Sequence, residues 1–199
     1  MAETARKKLA SRWGQLEIER SSWTDHWREI SEYLLPRSGR FFVQDRNRGD
    51  RRHNNILDNT GTRGLNTLAA GMMAGMTSPA RPWFRLTTSI PDLDESPAVK
   101  EWLAKVTRLM LMVFAKSNTY RALHQIYQER GAFGTASSIT TPDFRNIIHN
   151  NTLTIGEYAI AADHQGQVNT LYREYQMTVA QLVQEFGAAA PVFLDTDLG

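Results

Sequence analysis

Residues 56–86, ILDNTGTRGLNTLAAGMMAGMTSPARPWFRL, carry the reading of the fold. Ile56-Leu57-Asp58-Asn59-Thr60-Gly61 is a helix start, with Asp58 or Thr60 as its cap. Leu65, Leu68, Met72 and Met76 then recur at helical spacing, while Gly64, Ala69, Ala70, Gly71, Ala74 and Gly75 fill much of the remaining surface. Glycine costs a helix about 1 kcal/mol relative to alanine, so four glycines in this stretch predict a packing reason, the close approach of another backbone. Gly71 and Gly75 have the spacing of a membrane helix-dimer motif. The segment is too short to span a bilayer and runs into Thr77-Ser78-Pro79, so tight packing within the protein is the better expectation. Pro79-Ala80-Arg81-Pro82 forces an extended turn, and Trp83-Phe84-Arg85-Leu86-Thr87 follows as an expected strand.

Upstream, a long helix is expected from about Thr4 to Leu35, where Pro36 stops it. Leu9, Trp13, Leu16, Trp23, Trp27, Ile30 and Leu34 are spaced as a heptad seam, with Arg20 in its one missing position. Such a helix is about 50 Å long, more than the roughly 40 Å breadth of a compact globule of this size. Unbroken, it projects or lies along a neighbouring subunit; a break would fall at Ser21-Ser22, where serine hydroxyls compete for backbone bonds. Residues 37–55 read as a loop around a short Phe41-Phe42-Val43 strand. Arg46, Arg48, Arg51 and Arg52 cluster there beside Gly49, either as phosphate contacts or as a solvated face.

Downstream, Ser96-Pro97 supplies a cap and a first-turn proline after an Ile90–Glu95 loop. The next helix runs to about Ser117. Its Leu109–Phe114 run is apolar on every side and predicts burial all round. A further helix spans about Tyr120 to Ala132 and ends at Gly134. The last third turns β-like: Thr135–Thr141, then Thr152–Ala162 and Val168–Gln176 flanking the hairpin signal Asp163-His164-Gln165-Gly166. Thr178 caps a short helix, Val179–Phe186, closed by Gly187. This predicts an α+β, mostly helical chain: a helical region over 1–134, a hairpin with a short helix over 135–187, and an irregular tail over 188–199.

The 199 residues are 41% hydrophobic and 22% charged, a composition near the globular average. The absence of cysteine excludes disulfides, thiolate metal sites and cysteine nucleophiles. No run approaches the roughly 18 apolar residues of a membrane span. Residues 1–55 carry a net charge of +4, residues 56–135 carry +3, and residues 136–199 carry −5, although the whole chain is only +2. Two unlike faces suit head-to-tail contact between copies, or one basic face meeting DNA.

Catalytic chemistry finds no footing. His26, His53, His124, His149 and His164 include no HxxxH pair, which leaves no zinc spacing. There is no GxSxG elbow, no GxxxxGKS/T loop and no GxGxxG. Glu29 and Glu32 read as a solvated helix face. Trp13, Trp23 and Trp27 could stack on bases or sugars, but heptad spacing points to core or subunit contacts. No catalytic residue, cofactor or metal is expected. A small hydrolase would need paired carboxylates that no spacing supports.

Residues 56–86 resemble the bacteriophage head-to-tail connector family, the portal proteins of short-tailed phages. The resemblance continues through Trp102-Leu103, SNTYRALHQIY from Ser117, GAFGTAS from Gly131, and LTIGEYAIAADHQGQVNTLYREYQMTVAQLVQEFG to Gly187. The Trp-rich first helix and Tyr33-Leu34-Leu35-Pro36 also fit. The tail after Gly187 departs from the pattern. The resemblance implies a non-catalytic virion protein, made in the bacterial host cytoplasm. Its copies form a ring at one capsid vertex, through which a separate terminase pumps double-stranded DNA and from which DNA leaves on infection. Capsid and tail adaptor proteins are the other implied partners. Family members run to several hundred residues, so this chain would correspond to the outer, wing-like part, before the channel helices and the clip. Trp23, Trp27, Gly71, Gly75 and Met76 are the candidate subunit contacts. The alternative is a sequence-independent DNA-binding module using Arg46, Arg48, Arg51 and Arg52.

Overall fold

The computed structural model describes residues 2–36, 38, 41 and 58–187. Helix α1 spans Ala2–Leu34 without interruption. Ser21 and Ser22 do not break it, because both hydroxyls turn back onto the preceding turn, Ser21 to the Ile18 carbonyl at 2.7 Å and Ser22 to that of Glu19 at 3.4 Å. Most of the seam is used within the chain, although Leu9 and Trp23 stand exposed. Leu16 is fully buried, Arg20, Trp27, Ile30 and Leu34 are half-buried, and Ser31 completes the line at 0% exposure. The residues from Arg6 to Arg12 face solvent.

Helix α2 (Thr60–Met76) follows an Asp58 turn, in which one carboxylate oxygen accepts from the Thr60 N–H at 3.1 Å and its hydroxyl at 2.9 Å. These bonds hold the Asp58 carboxyl below its ordinary value. The short helix α3 (Pro91–Glu95) occupies part of the stretch expected to be a loop. Helix α4 (Pro97–Lys116) starts at Ser96-Pro97 as expected. Helix α5 (Thr119–Phe133) ends on Gly134, whose φ of 75° is left-handed and suits glycine.

Two separate antiparallel hairpins follow. Strands β1 (Ser137–Asp143) and β2 (Ile147–Leu153) form one sheet, and β3 (Tyr158–Ala162) and β4 (Val168–Arg173) form the other. The Asp163–Gly166 turn joins β3 to β4, with the Asp163 carboxylate accepting the N–H groups of Gln165 and Gln167. Helix α6 (Val179–Phe186) opens on a Thr178–Gln181 capping box.

Asn59, not Asp58 or Thr60, holds the cap position of α2, with no side-chain cap bond, and other expectations fail as well. Trp83–Thr87 is extended but pairs with no strand; it lies along α4, with the Leu86 N–H given to the Thr107 hydroxyl at 3.2 Å. Trp83, Phe84 and Phe114 stack as an aromatic trio, so ring packing rather than a ladder fixes this segment. The apolar end of α4 is not buried all round: Leu109 and Met112 stand open. Strand β2 was also not anticipated. The loop strand at Phe41–Val43 falls outside the described residues except for Phe41, which packs on the core.

The glycines of α2 divide by face. A Cβ on Gly61 would meet the Leu34 side chain at 2.9 Å and the Tyr33 carbonyl at 3.2 Å. A Cβ on Gly131 of α5 would meet Leu65 at 2.9 Å. The close approach therefore runs α1–α2 at Gly61 and α2–α5 where Leu65 and Leu68 meet Gly131. Gly64, Gly71 and Gly75 meet nothing within 4 Å. Among the described residues nothing packs against that face.

Candidate subunit interface

The core that positions the exposed features gathers Leu153, Ile155 and Tyr158 at the β2–β3 connection, with Trp27, Phe41, Phe133 and Ile139 around them. Glu129 enters it from α5. The carboxylate is buried, and accepts from the Ser38 hydroxyl, from the Thr154 hydroxyl at 2.9 Å and from the Ile155 N–H at 3.2 Å. Three donors from two distant chain segments thus converge on one buried charge. Burying it without them would cost several kcal/mol. Its neighbour Tyr158 has its phenol pushed up, by burial first and by the Glu129 charge last, with the Thr135 side chain opposing.

Arg20, the polar gap in the seam, works as a latch. Its Nη1 donates to the Gly156 carbonyl at 3.0 Å and the Tyr158 carbonyl at 2.9 Å. The guanidinium also lies 5.6 Å from the Trp13 ring centroid. Burial lowers its pKa, opposed by the charges of Glu17 and Glu174. This arginine ties α1 to the strand that carries the core.

Between α1 and β3 lies an open cleft of about 230 Å³, floored by Leu16 and Ile155 and walled by Trp23 and Trp27. The two indoles stack with centroids 6.2 Å apart and planes 25° from parallel. Trp27 faces the core, and Trp23 is 55% exposed. Of the other candidate contact residues, Gly71, Gly75 and Met76 sit together on the open face of α2. The five therefore occupy two separate places, the α1–β3 cleft and the α2 face. Arg46, Arg48, Arg51 and Arg52 lie outside the described residues.

Sequence reasoning missed Glu129, the Arg20 latch and the β1–β2 hairpin tip. The signal for Glu129 was its place on the face of α5 that carries Thr119 and Ala122, where a carboxylate has no business without donors. Among the described residues no group of acidic and histidine side chains is arranged to hold a metal ion, and no helix is long and apolar enough to cross a membrane.

The arrangement is of packing surfaces and open faces, and a family comparison agrees with it. The model of the bacteriophage head to tail connecting proteins matches residues 6–192. The chain belongs to that connector family. The match runs past Gly187, so the segment read as departing from the pattern is partly within it. Similar connector relatives include a probable portal protein of Bordetella phage BPP-1, 77% identical over 188 residues. Another is a portal protein of Salmonella phage epsilon15, 44% identical over 187 residues. Each alignment covers 94% of this chain and 34% of the relative, so the chain spans about a third of the length of the curated relatives it matches.

Proposed function

We propose that this chain is the wing-like part of a portal subunit, a structural component of the phage virion that carries contacts between neighbouring copies in the ring at the capsid vertex. The observation that supports it is the connector-family match over residues 6–192, together with two relatives named as portal proteins. Trp23, Gly71, Gly75 and Met76 are the contact positions in this reading, and Trp27 holds Trp23 in place. Capsid protein, tail adaptor, terminase and double-stranded DNA are partners of the whole ring, made in the host cytoplasm and acting without catalysis by this part. Small residues let backbones meet closely, and ring closure needs a contact in which one face meets a different face.

Light scattering on the 199-residue chain at two salt concentrations tests the reading. A mass that rises with concentration toward a closed multiple supports it. A mass that stays that of one chain at every concentration and both salts overturns the claim that this part carries subunit contacts.

A further inference from the structure

The tip of the β1–β2 hairpin carries a fully exposed aromatic side chain. Phe144 is 108% exposed, more open than in an extended peptide. Ile147, which closes the turn, is 59% exposed and has a φ of 73°. That backbone region is an outlier for a β-branched residue and persists only where its surroundings impose it. Here they do: the Asp143 carboxylate accepts from the Arg145 N–H at 3.0 Å and from the Asn146 side-chain amide at 3.1 Å. The turn is cross-braced, and it presents two consecutive exposed residues, Phe144 and Arg145.

The α1–β3 cleft is the matching hole. Leu16, Ile155, Trp23 and Trp27 give it apolar lining, beside the exposed Glu19 and Ile160; Arg20, its guanidinium turned onto the Gly156 and Tyr158 carbonyls, and Thr135 supply the polar part. A cavity of about 150 Å³ holds a benzene ring in an engineered protein; this cleft, at about 230 Å³, has room for a phenyl group. Aromatic rings favour offset or edge contacts with other rings, and such anchors seated in pockets dominate interface energies. The charges also pair: Arg145 is next to the ring, and Glu19 is on the rim.

We propose that the hairpin tip of one copy seats Phe144 in the α1–β3 cleft of the next, with Arg145 against Glu19. The contact is head-to-tail, because knob and hole lie on different elements of the same chain. It deepens the ring reading and rests on it. Trp23 and Trp27 thereby become the lining of a pocket rather than knobs themselves.

The test places a photoreactive benzophenone amino acid at position 144, so that an aromatic knob is retained. This chain is mixed with an isotope-labelled unmodified copy and irradiated, and the adducts are mapped by mass spectrometry. Adducts on the labelled copy at Leu16, Trp23, Trp27 or Ile160 are the expected result. Glu19→Arg should reduce their yield about tenfold, and Glu19→Arg combined with Arg145→Glu should restore it. Adducts on labelled copies at other places, or none while light scattering reports assembly, overturn the knob-in-hole contact and leave the ring reading standing. No adduct together with a constant single-chain mass overturns both.

Discussion

Replacing Gly71 and Gly75 together by alanine separates folding from assembly, because the two effects have opposite signs. Neither glycine has a neighbour within 4 Å of an added Cβ, and both lie inside α2 with no positive φ. In the isolated fold the change therefore acts only through helix propensity, about 0.8–1 kcal/mol at each position, or about 2 kcal/mol for the pair. For a domain of this size 1 kcal/mol moves Tm by about 2–4 °C, so the double variant should melt about 4–8 °C higher. The same two methyl groups stand in the path of any neighbouring backbone, so self-association should weaken. Calorimetry must be run dilute, where association does not add its own stabilisation, and light scattering run concentrated. A Tm that stays put or falls at low concentration refutes the reasoning that this face is open in the folded chain. A raised Tm with an unaltered mass refutes the assignment of the face to subunit contact.

Glu129→Ala removes the shared acceptor of the Ser38 and Thr154 hydroxyls, which keep only their 2.8 Å contact with each other among these bonds, and takes the carboxylate from the buried Ile155 N–H. It should cost about 2–4 kcal/mol, read as a lower urea midpoint at unchanged slope, with Glu129→Gln losing less than half as much. Arg20→Ala should cost about 1–3 kcal/mol through the Gly156 and Tyr158 carbonyls, and Arg20→Lys should recover part of it. The Tyr158 phenol is raised above its ordinary value of 10.0 in the folded chain. Its contribution is thus complete below that value and is lost as pH rises beyond it, because the unfolded chain ionises first. Tyr158→Phe should make the fall in stability above about pH 10 shallower, as followed by urea midpoints across the alkaline range.

Much of the helical part was legible because its signals are local. The heptad seam of α1, Ser96-Pro97, Gly134 and the Thr178 cap each involve residues within a few turns of one another. What escaped depends on partners far away in sequence. Strand β2, IIHNNTL, looks too polar to be a strand; yet Asn118 at the start of α5 gives its side-chain amide to the Asn150 carbonyl at 2.7 Å and takes the Asn150 N–H at 2.8 Å. A strand so braced does not need β-branched residues throughout. The reverse error occurred at Leu109–Phe114, where apolar composition implied enclosure but Leu109 and Met112 face outward. Composition states what a surface prefers, not whether this chain alone supplies the cover. The same holds for Gly71 and Gly75: their smallness predicted a close packing partner, and among the described residues they face open space.

The unbroken α1 has a mechanical consequence. It is a rod about 50 Å long, pinned near its middle where Arg20 grips two carbonyls. From the grip to Leu34 it is packed at Trp27, Ile30 and Ser31, so only the N-terminal arm stands off, a cantilever rooted there. A tilt of about 5° there carries an end some 25 Å away through about 2 Å. The N-terminal arm bears Arg6, Lys7, Lys8 and Arg12, so small bends at its root become displacements of a cluster of positive charge.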